Sequence, residues 1–322
     1  MASSSVGEAK GPSKFPGGYS TSIKALIRST KCEHLVAGFS GGVISTLILH
    51  PLDLLKIRFA VDDGGKERLR PKYSGLGHAV SSIFRHEGLR GFYKGVTPNI
   101  AGAGTAWGLY FLFYNKIKSM EQKGNTKTQL SPGVHMLCAA EAGILTLILT
   151  NPIWVIKTRL CLQFDNNPSS NSNGNYKGMF DAFKKILKAE GFPGLYKGFV
   201  PGMFGVPHGA IQFMVYEEFK CAYNNYKKRC IDTQLETYEY LGFSAMSKLI
   251  AALSTYPYQV IRARLQDQNC RYSGAWDCIK HTYRNESYRG FYKGLVPNLM
   301  RVIPATAITF LVYEYSSAYL RD

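Results

Sequence analysis

The chain says the same thing three times. After Pro51, Pro152 and Pro257 stand PLDLLKIRF, PIWVIKTRL and PYQVIRARL. Each copy continues to a Tyr-x-Gly whose tyrosine, Tyr73, Tyr176 or Tyr272, precedes an acid by fourteen positions, at Glu87, Glu190 and Glu286. Eight residues beyond each acid lies the glycine of an aromatic-Lys-Gly triplet (Gly95, Gly198, Gly294), and three beyond that a proline (Pro98, Pro201, Pro297). A unit of about 100 residues exceeds the roughly 20–50 residues of a solenoid repeat. The chain is therefore expected to fold as three related domains in one pseudo-threefold body: a flexible tail at 1–30, then repeats at 31–125, 126–232 and 233–322.

Lys and Arg number 39 against 22 Asp and Glu, a net charge of +17 that calls for an anionic partner: nucleic acid, anionic lipid or an acidic small molecule. The basic residues recur at matched places in the three copies instead of forming one run, which disfavours nucleic acid and points to a central anion path. Composition as a whole looks soluble, yet the charges are segregated. Stretches 35–52, 95–115 and 198–216 contain no Asp, Glu, Lys or Arg, and 130–155, 241–261 and 294–313 contain one each, Glu141, Lys248 and Arg301. All reach the length that crosses a bilayer, about 17–25 residues. Six membrane-spanning helices in three pairs follow, an all-α membrane protein. Small residues at packing spacing, Gly38-x-x-x-Gly42 and Ala139-x-x-x-Gly143, support helix association in lipid. A soluble helical scaffold is the bland alternative, but its core helices are usually shorter. Between the spans of the second repeat, Met179, Phe183, Ile186 and Leu187 share a helical face while Lys184, Lys185 and Lys188 fall largely off it. That pattern predicts a surface helix lying along the membrane, its basic residues favouring anionic headgroups.

Several function classes recede. The seven cysteines form no Cys-x-x-Cys pair and are expected to be free thiols. No nucleophile–base pair, metal-ligand cluster or phosphate loop stands out, so neither an enzyme nor a metal site is expected. Residues 1–30 are small, polar and basic; their glycine and proline density favours a tail over an amphipathic transit peptide.

Pro-x-acidic-x-x-basic at the end of each odd span, followed by acidic-Gly-x-x-x-aromatic-Lys-Gly, resembles the mitochondrial carrier family, over about residues 32–320. The resemblance implies a six-helix barrel with three amphipathic helices on the matrix side and both termini toward the intermembrane space. It also implies one central site opened alternately to either side and residence in the mitochondrial inner membrane among lipids such as cardiolipin. Departures from the pattern are Trp154 and Gln259 where acids are usual, and Ser287 where glycine is usual. TNPIWVIKTRL and TYPYQVIRARLQ are similar to the branch that moves folates, FAD, pyrimidine nucleotides and NAD, and the folate/FAD type is the nearest likeness.

Family-like pairing implies a matrix gate of Asp53 with Lys157, Trp154 with Arg262 as a cation–π contact, and Gln259 with Lys56, braced by Gln266. At the cytosolic ends it implies Asn115 with Lys220, Glu217 with Ser317 and Glu314 with Lys118. Between the gates, an ionisable group inside a span is a functional candidate by default, which singles out Glu141, Lys248 and Arg301; neutralisation of Glu141 by Lys248 is the competing reading. The places matching Lys248 in the other copies are Gly42 and Gly143. For a flat ligand, Trp107, Gly205, His208 and Gln212 complete the candidate set, with either Phe204 or Gly205 facing the cavity. The expected activity is transport of an anionic cofactor, folate or FAD, with no catalytic cofactor and no obligate protein partner. The alternatives are a pyrimidine nucleotide or NAD carrier, or a membrane scaffold that has lost transport.

Overall fold

The computed structural model describes residues 33–62, 73–122, 131–164, 175–227, 237–270 and 272–302, with 304, 305, 308, 312 and 315. The expected tail at 1–30 and the expected gate residues Glu314 and Ser317 lie outside these. Among the described residues the regular structure is helical throughout: α1 (Glu33–Val61), α2 (Leu76–Gly91), α3 (Val96–Glu121), α4 (Pro132–Cys161), α5 (Met179–Leu195), α6 (Phe199–Met203), α7 (Pro207–Tyr226), α8 (Thr237–Gln266) and α9 (Ala275–Gly290), then a helix over 295–302. The long odd helices α1, α4 and α8 each alternate with a short surface helix, α2, α5 and α9, and an outgoing even segment.

Each repeated proline lies inside its odd helix. A proline there removes one backbone hydrogen bond and loosens the turn. The residue just before it is used as a tie: His50 Nε2 lies 3.0 Å from the Lys94 carbonyl, Asn151 Nδ2 donates to the Leu195 carbonyl at 2.9 Å, and the Tyr256 hydroxyl donates to the Lys293 carbonyl at 3.1 Å. Three different side chains thus make a similar tie, joining each odd helix to the backbone at the end of its surface helix or just beyond it, Leu195 lying two residues earlier in its repeat than Lys94 and Lys293.

The acid that follows each Tyr-x-Gly holds the surface helix in place. Glu87 pairs with Arg58 and with Lys94 (2.7 Å), Glu190 with Arg159 (2.6 Å) and Lys197 (2.8 Å), and Glu286 with Arg264 (2.8 Å) and Lys293 (2.8 Å). Each arginine also reaches the next repeat. Arg58 Nε donates to the Cys161 carbonyl at 3.0 Å, Arg159 Nε to Gln266 at 3.2 Å, and Arg264 Nε back to Ala60 at 3.0 Å. The three repeats therefore close into a ring through their own backbone. Beside each junction lies the glycine of the aromatic-Lys-Gly triplet, at φ of 80°, 74° and 81°. A Cβ on Gly95 would stand 2.8 Å from Cys161 Sγ, and one on Gly294 2.6 Å from the Lys56 carbonyl. Left-handed backbone and lack of space both demand glycine here.

Apolar residues under each surface helix form its local core: Leu54, Leu55, Ala79 and Ile83 in the first repeat; Val155, Ile156, Ala182 and Ile186 in the second; Ile261, Leu265 and Cys278 in the third. On α5, Ile186 is buried and Met179 and Leu187 pack against it, as the amphipathic pattern requires. Phe183 departs from it and is exposed, beside the still more exposed Phe180, at the outward edge of the helix.

The fourth span is broken. Between α6 and α7 the backbone bonds tighten to i→i−3, from Phe204 to Pro201, Gly205 to Gly202 and Val206 to Met203, at 3.0–3.2 Å. A 3₁₀ turn rises about 2.0 Å per residue against 1.5 Å in an α-helix, so three such residues recover roughly the length of the one residue this repeat lacks. The break also settles orientation: Gly205 turns to Tyr258 of α8, and Phe204 is 66% exposed.

Among the described residues, Gly133–Cys161 is long and apolar enough by length and composition alone to cross a membrane. The other long helices are diluted by glycines and by the polar residues described below. Of the small-residue pairs expected at helix contacts, Gly143 accepts Val206 at close range, whereas nothing lies within 4 Å of a Cβ built on Gly42.

Candidate functional site

The proline motifs bring the ends of α1, α4 and α8 together, and Asp53 is the centre of what they form. Its carboxylate is buried, 3.5 Å from Lys157 Nζ of α4 and 3.3 Å from the donating Asn99 Nδ2 of α3. Arg301 approaches it twice. Nη1 donates to Oδ2 at 3.2 Å, while Nε lies 3.1 Å from Oδ1 as an ion-pair contact without hydrogen-bond geometry. Lys56 donates to Gln259 Oε1 at 2.8 Å, joining α1 to α8. Asp53–Lys157 and Lys56–Gln259 are thus the contacts the motifs imply.

The third contact differs. The expected indole–guanidinium pair is not formed: the Lys157 ammonium stands over the Trp154 ring at 5.5 Å, and Arg262 Nη2 donates to Asn151 Oδ1 at 3.3 Å. Trp154 and Lys157 are three apart on one helix and therefore neighbours on its surface. Arg262 instead lies over Gly202, close enough that a Cβ there would meet its Cζ at 3.4 Å, and reaches the side-chain oxygen beside Pro152. Gln266 does brace the junction of α4 and α8, accepting from Thr158 at 2.7 Å, while its backbone carbonyl takes Arg159. Against four cations at this floor, Lys56, Lys157, Arg262 and Arg301, the gate residues supply one carboxylate.

Above the floor, Lys248 is half-buried and, among the described residues, has no hydrogen-bond or ion-pair partner. It lies eleven residues before Gln259 on α8. At 3.6 residues per turn that is about 20° away on the helix surface, so it belongs to the face carrying the gate. Glu141 does not neutralise it. Glu141 is exposed, and its position thirteen residues before Trp154 is about 220° around α4, away from the gate face. His208 Nδ1 lies 2.8 Å from the Thr255 hydroxyl, a tie between α7 and α8, and Gln212 is half-exposed one turn further along α7. Gly205 does leave room for an aromatic ring, but the Tyr258 phenol occupies it.

Trp107 is 64% exposed and stacks on Phe111 at 5.7 Å. The inner face of α3 is marked by Asn99, which touches Asp53; Trp107 is about 80° from it, whereas Tyr110, eleven residues from Asn99, is about 20° from it. Sequence reading passed over Tyr110, and its phase relative to Asn99 was the signal available.

At the opposite ends of the even helices the expected contacts are not made among the described residues. Glu217 lies 3.9 Å from Lys220 on its own helix, and neither Asn115 nor Lys118 reaches α7. The two remaining pairings involve Glu314 and Ser317, outside the described residues. The proline-motif ends are thus joined, whereas at the opposite ends the one expected pairing between described residues, Asn115 with Lys220, is not made.

The mitochondrial carrier protein model matches residues 28–125, 128–227 and 233–322. This chain belongs to the mitochondrial carrier family. Among similar proteins, the chloroplastic folate transporter 1 of Arabidopsis thaliana is 43% identical over 299 residues, spanning 90% of this chain and 96% of the relative. The chloroplastic nicotinamide adenine dinucleotide transporter 1 of the same plant is 38% identical, spanning 88% and 90%. The mitochondrial FAD carrier of Saccharomyces cerevisiae is 33% identical, spanning 88% and 95%. Within this carrier the Arg–Glu–Lys clusters and the arginine-to-carbonyl ring are structural features that pairwise motif reading missed, although each arginine sits two residues past the motif's basic position.

Proposed function

We propose that this carrier moves an anionic, ring-bearing cofactor of the folate or FAD type across the mitochondrial inner membrane by alternating access. The carrying observation is the charge imbalance around Asp53: among the described residues four cations face one carboxylate, and Lys248 stands above them without a hydrogen-bond or ion-pair partner. Such a floor suits a ligand with more than one negative charge, since arginine grips carboxylate or phosphate in two-point fashion and lysine acts as a point charge. Folate, FAD and NAD, for which relatives are named, are large anionic cofactors with planar rings, which supports the same class.

The gate suggests how binding drives opening. Arg301 is shared: it holds Asp53 in the closed state, yet its side chain keeps 35% exposure toward an incoming ligand. A ligand anion that draws Arg301 away leaves Asp53 with Lys157 and Asn99 and loosens the join between α1 and the last segment. A ligand shifts such an equilibrium only by its differential affinity for the two states, and a transferable arginine provides that difference.

Relatives named as chloroplastic share the scaffold, and the mitochondrial location proposed here rests on the family as a whole. Uptake by purified protein in liposomes, comparing tetrahydrofolate, FAD, NAD and UTP, tests the reading. Saturable uptake of folate or FAD supports it; preference for NAD or UTP selects the nucleotide alternative; no uptake of any overturns transport.

A further inference from the structure

Tyr110 and Lys248 occupy equivalent heights on opposite walls. Asn99 of α3 and Gln259 of α8 both touch the gate, and each is eleven residues from its partner, so Tyr110 and Lys248 both lie about 16 Å above it and about 20° off the gate-facing line. Helix contacts give the order around the ring. α3 packs on α1 and α4, α8 packs on α7 and on α6, and the last segment returns to α1 through Ser45, whose hydroxyl donates to the Ala305 carbonyl at 3.4 Å. α3 and α8 are three steps apart in a ring of six, hence across the cavity.

The ring of Tyr110 is held rigidly. It stacks on Tyr114 at 6.1 Å with planes 13° apart, and Trp107 and Phe111 meet it edge-on at 6.1 and 5.7 Å. Tyr114 is itself fixed by its hydroxyl, 2.9 Å from His135 Nδ1 of α4. The result is an electron-rich plate, half-exposed, with no hydrogen bond of its own among the described residues. Lys248 opposite is a cation with no hydrogen-bond or ion-pair partner among the described residues.

Resting on the cofactor reading above, we infer that Tyr110 is the ring-stacking surface and Lys248 the anion receptor of one extended site. The substrate class it selects is an elongated molecule with a planar, electron-poor ring at one end and a carboxylate or phosphate at the other. Arg301 and the gate floor then take a further negative charge from below. Trp107 acts behind Tyr110 as a buttress and does not itself meet the ligand.

Two fluorescent probes, FMN for a flavin and folic acid for a pterin, test this on purified carrier. Stacking on tyrosine quenches such rings by electron transfer, so binding to the natural protein should quench the probe. Tyr110→Leu should weaken binding about tenfold, the loss of one stacking contact, and restore fluorescence of the bound probe; Tyr110→Phe should keep most of the affinity. Lys248→Gly should weaken binding comparably while the probe that does bind remains quenched. If neither probe binds the natural protein, the cofactor reading fails and this inference with it. If a probe binds and Tyr110→Leu changes neither affinity nor quenching, or Lys248→Gly abolishes quenching at saturation, the two-ended site alone is refuted.

Discussion

Ser287 stands where the other two repeats have glycine, and the backbone does not accommodate the change. Gly88 lies at φ 64°, ψ −167° and Gly191 at 69°, −164°; Ser287 is held at 56°, −158°. This region is essentially reserved for glycine, and a side chain there costs about 1–3 kcal/mol. The serine offers little in return, because it is exposed and its hydroxyl makes no hydrogen bond among the described residues. Ser287→Gly should therefore relieve the strain, less about 0.4–1 kcal/mol for the added freedom of the unfolded chain. The net gain is about 0.5–2 kcal/mol. With an unfolding entropy near 2.1 cal/mol/K per residue, a chain of 322 residues shifts its midpoint by about 1.5 °C per kcal/mol. Thermal unfolding of the purified protein in one detergent should thus show a midpoint raised by about 1–3 °C. Gly191→Ser should lower it by a similar amount. An unchanged or lower midpoint in Ser287→Gly, with Gly191→Ser neutral, would refute the claim that this turn stores strain.

Four further outcomes follow from the described contacts. Arg301→Ala should abolish uptake in liposomes while leaving insertion intact; normal uptake would remove it from both gate and site. Trp154→Asp should place a carboxylate beside Lys157, add a negative charge to the floor and slow transport more than Trp154→Phe does, as uptake rates normalised to inserted protein will show. Gly198→Ala should destabilise by more than about 1 kcal/mol, since a left-handed backbone disfavours alanine and its Cβ would press on the Arg262 carbonyl at 3.0 Å; a wild-type thermal midpoint would contradict this. Burial would raise the Glu190 carboxyl, but hydrogen bonds from Arg159 and Lys197 outweigh it and hold the group below its ordinary value of 4.5. A depressed carboxyl contributes stability above its unfolded value and loses it as pH falls through the folded one. The thermal midpoint of the natural protein should therefore drop more between pH 7 and pH 4 than that of Glu190→Gln.

Where contacts recur three times, the sequence was readable. The resemblance carried by the repeated motif implied the apposition of Asp53 with Lys157 and of Lys56 with Gln259, and the structure forms both contacts. The contacts that broke symmetry were not readable. Arg301 reaches Asp53 across 248 positions, and only the return of the last segment against α1 brings them together. Trp154 found a cation on its own helix, because Asn151 offered Arg262 a stronger acceptor than an indole face. Glu141 illustrates the reverse error: a charge in a span was read as cavity-facing, whereas helical phase turns it from the gate. Tyr110 was hidden by its neighbours, since five aromatics within eight residues give no hint in composition of which one faces inward.

The arginine-to-carbonyl ring has a consequence for how the protein comes into being. Its first two links join each repeat to the one made just after it, but the third runs from Arg264 back to Ala60, 204 positions earlier. During synthesis the first repeat must wait, its end unclosed, until the third has emerged, and contacts of such long range are slow to form. A chain halted after two repeats would hold an open arc with an unsatisfied seam at each end, the kind of exposed intermediate that misassembles or is degraded. Closure is thus an all-or-none event that certifies a full-length product, and the arginine of the final repeat is the residue that makes it.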